Sequence, residues 1–456
     1  MPLRPGSVKT PATVSPARHA AFEILLRVAE SDAHSDDLLH SPLIAGLSQE
    51  DRNLATALVM GVLRWQIALD AQIAKLLARP GQQLAEPVAI ALRLGAFQLH
   101  HMDRIPAHAA INESVELCRA AGQTHAAGMV NAVLRKLTAV TMRGNDSATR
   151  RTPIFESPVA LAQRLGHPAW LIERWVAEYG RKAALAICEY NQHEPTAGSF
   201  FRESAAENDG NTSLSIAAVQ IDDGSRLVAE LAAAALPEID GKAARVWDCC
   251  AAPGGKTLVL AERLAGAKIL ATDVSPRRLA GMKDRIAASP FADRVECEVM
   301  DAARPHFPAR WTNGRGANAA FDLILCDAPC SGTGTLARNP EIRHRLREDD
   351  LARQAARQQT ILSRALGQLA PGGRLLYSTC SLEPEENVRV VEAIVASERL
   401  SRISLEPMLA QLVRGGILTD PVASGLAGTS IRDGYLRTLP GIHPCEGFFA
   451  ALLERN

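Results

Sequence analysis

The chain has 456 residues, too many for one ordinary domain, so two or three are expected. With 47% hydrophobic and 22% charged residues it reads as a soluble globular protein, and aromatics at only 4% leave the core to Ala, Leu and Val. Fifty basic residues cancel fifty acidic ones, which excludes a global field for nucleic acid and requires any such binding to use a local patch.

Met1 to Ser15 carries Pro, Lys and Arg without a hydrophobic region, so a flexible tail is expected there and not a signal peptide. From Pro16 to about Val140 the pattern is helical: Ala21, Ile24, Leu25 and Val28, then Leu54, Ala57, Leu58, Gly61 and Val62, recur at spacings of three and four. Pro80, Pro87 and Pro106 divide the segment into helices. His100, His101 and His108 lack ligand spacing and acidic companions, so they read as surface or interface histidines and no metal is expected. Periodicity alone gives an all-α bundle. The stretches Asp51-Arg52-Asn53-Leu54-Ala55, Gly61-Val62-Leu63-Arg64, Leu92 to Leu99 and Val130 to Arg135 resemble NusB-like RNA-binding domains, which implies RNA as a partner.

Thr141 to Pro158 reads as a linker. Ala160 to Tyr190 is helical again, with Trp170, Ile172 and Trp175 spaced for burial, and a polar loop then leads to an apolar strand, Ile216 to Ile221. From Ala244 onward strands and helices alternate. Strands are expected at Val246–Cys249, Lys268–Thr272, Val295–Val299, Leu323–Cys326 and, after a Pro371-Gly372-Gly373 turn, Leu375–Ser378. Such alternation predicts a mostly parallel, doubly wound sheet, with ligands outside the carboxyl ends of its strands. Asp248, Asp273, Asp301, Asp327 and Cys380 all fall at or just past those ends.

The first strand leads into Asp248-Cys249-Cys250-Ala251-Ala252-Pro253-Gly254-Gly255-Lys256-Thr257 and a helix, Lys256 to Leu264. A Gly-rich turn at a helix N-terminus suits a polar or anionic ligand packed against the main chain. A P-loop would need Gly at position 250, where Cys stands, and the dinucleotide pattern is absent. A nucleoside-binding first turn remains, with Asp273 after the second strand placed to grip ribose hydroxyls.

This decad resembles the first motif of the Nol/Nop/Sun RNA cytosine-C5 methyltransferases. The resemblance implies a Rossmann-like methyltransferase domain that binds S-adenosylmethionine through Cys250, Ala251, Ala252, Pro253, Gly254, Gly255 and Lys256, with Asp273, Arg278, Asp301 and Asp327 completing the cofactor site. In the family Asp301 partners the adenine amine, and Asp327 contacts ligand and base. The usual Arg-x-Asn of the preceding α+β subdomain appears here as Arg202-Glu203-Ser204, whereas Asp222 to Val228 matches the family's lead-in to the catalytic sheet. Pro444 to Leu452 resembles the family's last strand. The implied layout is a tail (1–15), an all-α NusB-like domain (16–140), a linker (141–157), a small α+β RNA-binding subdomain (158–232) and the catalytic domain (233–456).

Two cysteines carry the expected chemistry. The tetrad Asp327-Ala328-Pro329-Cys330 differs from the Asp/Asn-Pro-Pro-aromatic ending of adenine-amino methyltransferases: it loses the stacking aromatic and gains a thiol. C5 of cytosine is a poor nucleophile until a thiolate adds to C6, and a second group must assist later proton loss and release. By resemblance, Cys380 of Thr379-Cys380-Ser381 attacks and Cys330 assists elimination; the reversed order stays open, because DNA cytosine methyltransferases attack with the cysteine that follows a proline. Cys249, Cys250 and Cys326 read as packing residues. Arg338, Arg343, Arg345 and Arg347 follow Cys330 closely and are expected to meet phosphates.

A NusB-like domain joined to this catalytic domain resembles the bacterial 16S ribosomal RNA branch of the family, which implies 16S rRNA as substrate. Transfer RNA as substrate, or a catalytically silent assembly factor that keeps the fold, are the alternatives. No apolar run reaches about 18 residues, so no membrane span is expected. Nine cysteines without a C-x-x-C pair fit reduced thiols and a cytoplasmic location, and a monomer is expected.

Overall fold

The computed structural model describes residues 14–79, 81–144, 157–194, 201, 221–239, 242–312, 320–397, 400–419, 422, 425–426 and 428–455. Arg202-Glu203-Ser204, the expected strand before Ile221, most of the tail and most of the linker lie outside these residues. Two compact units emerge: one comprises residues 1–194 together with Leu336–Arg345, the other Pro195–Thr335 and Leu346–Asn456.

The first unit is helical, with α1 (Pro16–Glu30), α2 (Ser35–Leu39), α3 (Pro42–Ala45), α4 (Gln49–Ala74), α5 (Glu86–His101), α6 (Ala107–Ala120), α7 (Ala127–Gly144), α8 (Pro158–Leu165), α9 (Ala169–Tyr179) and α10 (Arg181–Tyr190). The helix starts follow local chemistry. The Ser48 hydroxyl accepts the Asp51 amide at 3.1 Å, with Glu50 and Asp51 in the positive first turn of α4. Pro87 sits in the first turn of α5, where its missing N–H costs nothing, and Pro106 immediately precedes α6. Ala21, Ile24 and Leu25 pack with Leu58, Val62, Leu92 and Leu134 in one core, as the three-four spacing requires. Among the described residues α4 is long and apolar enough to cross a membrane by length and composition, although Arg64 and Asp70 interrupt its apolar run. Its Leu58, Val59, Val62 and Leu69 are committed to that core.

The expected division at 157 is not where the units part, because α8 to α10 belong with the helical unit, α8 packing on α4. Their apolar spacing holds for Ile172 and Trp175, which are buried, but Leu171 takes the inward place expected of the half-buried Trp170.

The second unit contains α11 (Asp223–Ala234), β1 (Arg245–Asp248), α12 (Gly255–Arg263), β2 (Lys268–Asp273), α13 (Pro276–Ala287), β3 (Val295–Val299) and β4 (Phe321–Asp327). The chain then enters the first unit with α14 (Ile342–Arg345) and returns with α15 (Glu348–Leu366), β5 (Leu369–Thr379), α16 (Val388–Ser397), β6 (Leu400–Ile403), α17 (Glu406–Arg414), β7 (Ile431–Arg432), β8 (Tyr435–Arg437) and β9 (Phe449–Arg455). One sheet has the order β3-β2-β1-β4-β5-β9-β8-β7, with β6 also paired to β9. Strands β1 to β5 run parallel and β9 runs antiparallel to β5. Leu323, Ile324, Leu325 and Cys326 are all fully buried, as a central parallel strand covered on both faces requires.

One expected turn is not a turn between elements. Pro371-Gly372-Gly373 lies inside β5, whose pairing with β4 jumps from Phe321↔Leu369 to Leu323↔Arg374. The extra residues are absorbed as a bulge, with Gly372 at φ +71°.

Candidate active site

The carboxyl ends of β1, β2, β4 and β5 assemble the site. After β1 the turn is pinned by the Cys249 amide donating to Leu325 O (3.0 Å) and the Ala251 amide to Thr272 O (2.8 Å). Gly254 has φ +103°, and a Cβ there would stand 2.8 Å from Met282 Cγ, so conformation and space both demand glycine. Asp273 is buried at the end of β2; it accepts the Ala252 amide at 3.2 Å and the Ser275 amide at 2.8 Å. Arg278, one turn into α13, donates to Ala252 O and stands 3.6 Å from the Asp273 carboxylate, so it braces the turn from outside. Asp301, two residues past β3, is exposed and accepts the Ala303 amide at 2.9 Å.

Behind this turn lies a buried acid. Asp248 accepts the Thr257 hydroxyl at 2.6 Å, while its Oδ1 has no hydrogen-bond partner among the described residues. Burial pushes its carboxyl up to about 7, against the opposing pull of Thr257 and Lys256, so it holds its proton far above the usual carboxylate range.

Lys256, in the first turn of α12, reaches Asp327 Oδ2 at 2.8 Å and donates to Ser225 Oγ. Ser225 is placed by Asp222, which caps α11 by accepting the Ser225 amide at 2.8 Å. Burial disfavours the ammonium, but the Asp327 and Asp222 carboxylates outweigh it and raise the Lys256 pKa, with a smaller contribution from Cys380. The other oxygen of Asp327 accepts Ser378 Oγ at 2.7 Å.

Cys330 and Cys380 meet at this edge, Sγ to Sγ 3.4 Å, both half-buried. The hydrogen bond to Cys380 and then burial push the Cys330 thiol well above its ordinary range, so Cys330 is the partner that keeps its hydrogen. The Cys380 sulfur faces the Cys330 sulfur on one side and interacts with the Lys256 charge as well. The turn after Cys330 is stitched to the end of β5: the Gly334 amide donates to Cys380 O at 2.9 Å and the Leu382 amide to Thr333 Oγ1 at 2.9 Å. A Cβ on Gly334 would lie 2.2 Å from Gly447 O and 2.8 Å from Cys380 O, so only glycine permits this approach.

A family model described as 16S rRNA methyltransferase RsmB/F matches residues 237–454, and a NusB family model matches residues 15–139. A Xanthomonas campestris protein named ribosomal RNA small subunit methyltransferase B is 30% identical, over 98% of this chain and 99% of its own. The Sodalis glossinidius protein of the same name is 32% identical, over 78% of this chain and 83% of its own. The chain belongs to the RsmB/F family. The crystal structure of PH0851, 21% identical, shares the fold with a TM-score of 0.68 over 97% of this chain and 99% of that one. This RsmB/F-family protein is thus an S-adenosylmethionine-dependent rRNA methyltransferase with an N-terminal NusB domain and a C-terminal methyltransferase fold.

Within the RsmB/F-family chain, the turn 250–256, Asp273, Arg278, Asp327, Cys330 and Cys380 come together at one sheet edge, with Asp301 on the neighbouring strand end. Cys249 and Cys326 are buried as packing residues, while Cys250 is half-buried. Among the described residues no three His, Cys, Asp or Glu cluster as a metal site would need, and His101 instead stacks on Trp65 and Phe97.

The phosphate reading of the arginines is corrected at two positions. Arg343 is buried in the first unit and donates to the carbonyls of Arg64 and Gly166 (both 2.9 Å), Asn191 and Leu336 (both 3.3 Å). Arg345 donates to the carbonyls of Val28, Ser31 and Ala33. Arg338 and Arg347 are exposed. Sequence reasoning missed Asp248 as a protonated acid, Ser225 as a ligand of Lys256, and Glu386 altogether. Asp222-Asp223-Gly224-Ser225 does carry a capping signal; the three glutamates after Cys380 give no hint which one meets the serines beside the cysteines.

Proposed function

We propose that this enzyme forms 5-methylcytosine in 16S ribosomal RNA through a covalent adduct between Cys380 and C6 of the target base. The observation that carries the reading is the 3.4 Å pairing of the Cys330 and Cys380 sulfurs at the sheet edge that also holds the 250–256 turn. Cys380, as thiolate, adds to C6 and makes C5 nucleophilic. S-adenosylmethionine supplies the methyl group that C5 takes up. C5 then loses its hydrogen as a proton to water, the C6–S electron pair returns to the Cys380 sulfur as the bond breaks, and Cys330 assists by donating a hydrogen bond to the departing thiolate. Asp327, held by Lys256 and Ser378, is suited to accept from the exocyclic amine that distinguishes cytosine from uracil. The turn 250–256 with Arg278 and Asp273 holds the cofactor, and Asp301 takes its adenine amine. The enzyme acts in the cytoplasm as a monomer, without a metal.

The 16S assignment is supported by the matched family description and by the NusB domain, which supplies RNA affinity without chemistry. Mapping of 5-methylcytosine in ribosomal and transfer RNA from a deletion strain tests it. Loss of one site in 16S rRNA is expected; loss confined to transfer RNA, or no loss, would overturn it.

A further inference from the structure

Glu386 lies behind both cysteines, on the turn between β5 and α16, and is fully buried. Four donors converge on its carboxylate. Its Oε1 accepts the Ser331 amide at 2.8 Å and Gln358 Nε2 at 3.1 Å; its Oε2 accepts Ser381 Oγ at 2.5 Å and the Ser331 hydroxyl. Ser331 follows Cys330 and Ser381 follows Cys380. One carboxylate therefore grips the residue next to each thiol, and the two serine hydroxyls stand 3.1 Å apart between them.

Glu386 is itself fixed. Tyr377 OH donates to its carbonyl at 2.6 Å, and the adjacent Asn387 donates to Ser381 O at 2.8 Å while accepting Thr379 Oγ1 at 2.5 Å. Gln358 also donates to Pro329 O at 2.9 Å, so the residue before Cys330 is tied to the same group. Four donors and a rigid frame offset the cost of burying this carboxyl group, and they tie it to the residue after each cysteine. No atom of Glu386 is among the contacts of Lys256, Asp327 or the cofactor turn described above. Apart from Gln358, the donors to its carboxylate come from Ser331 and Ser381 on the two cysteine-bearing segments.

We propose that Glu386 is a positioning residue that sets the spacing of Cys330 and Cys380 by acting through Ser331 and Ser381. The proposal rests on the two-thiol reading of the reaction, and its first test is made free of RNA so that the two can fail separately. Full-length wild type, Glu386→Gln, Glu386→Ala and Ser331→Ala are treated with diamide, which takes up the two thiol hydrogens as a disulfide forms, and the Cys330–Cys380 peptide pair is followed by mass spectrometry. Wild type is expected to form this disulfide readily, Glu386→Ala about ten-fold more slowly, and Glu386→Gln, which keeps an acceptor for the Ser331 amide, close to wild type, with Ser331→Ala between the two. Turnover on RNA should fall about 100-fold in Glu386→Ala through kcat, with S-adenosylmethionine affinity kept and with activity restored in Glu386→Gln. A Glu386→Ala disulfide rate equal to wild type, or a wild type that forms no such disulfide, would overturn the proposal. So would equal losses of cofactor affinity and melting temperature in both Glu386 variants, the mark of a merely structural role. Normal disulfide behaviour with inactive wild type would instead count against the two-thiol reaction.

Discussion

Arg343 and Lys256 belong to different units and do opposite things. Arg343, in the first unit, gives its guanidinium to backbone carbonyls and to the Gln192 side-chain oxygen, neutral acceptors that do not change protonation. Lys256, in the second, is matched with a carboxylate and a hydroxyl at a half-buried edge, beside the Cys380 thiol. Both are basic residues near a recognised motif. What separates a structural cation from a functional one is the kind of partner: fixed neutral acceptors on one side, titratable and substrate-accessible groups on the other.

The largest expected effect breaks the first half of this contrast. Arg343→Met strands several buried carbonyls, so chemical denaturation should report a loss of about 3–5 kcal/mol. Unchanged stability with a salt-sensitive drop in RNA affinity would return Arg343 to the phosphate role. Next, Asp273→Ala removes the acceptor expected to hold the ribose and should weaken S-adenosylmethionine binding by about 1.5–3 kcal/mol in calorimetric titration. Unchanged affinity would remove Asp273 from the cofactor site.

The smallest effect concerns Asp248. Its carboxyl is raised by folding from 3.8 to about 7, chiefly by burial, so its contribution is whole below the unfolded value and is lost as pH rises through the folded one. Stability should fall by on the order of 1 kcal/mol between about pH 6 and about pH 8. Asp248→Asn should flatten that slope; an identical slope in the variant would mean that another group titrates.

Legibility in the sequence followed locality. The strands β1 to β5 and the residues at their ends could be read because each motif couples an apolar run to a turn within about ten residues. The helical unit was readable from three-four spacing and from Pro87 and Pro106 at helix starts. The fate of Arg343 was not, because its acceptors lie at Arg64, Gly166 and Asn191, more than a hundred residues away in the chain. The bulge at Gly372 was hidden for a related reason: Pro-Gly-Gly signals a break in pairing but does not say whether the strand resumes beside the same partner. Glu386 escaped because its role depends on Ser331 and Gln358, which come from another strand end and another helix.

The division of labour between the thiols is tested most directly by incubating Cys380→Ala and Cys330→Ala with substrate RNA and S-adenosylmethionine, followed by denaturing electrophoresis. Cys380→Ala should form no conjugate and transfer no methyl group above background. Cys330→Ala should attack and transfer, then stall as a protein–RNA conjugate that survives denaturation because a thioether joins the two. A conjugate with Cys380→Ala and none with Cys330→Ala would contradict the assignment of roles.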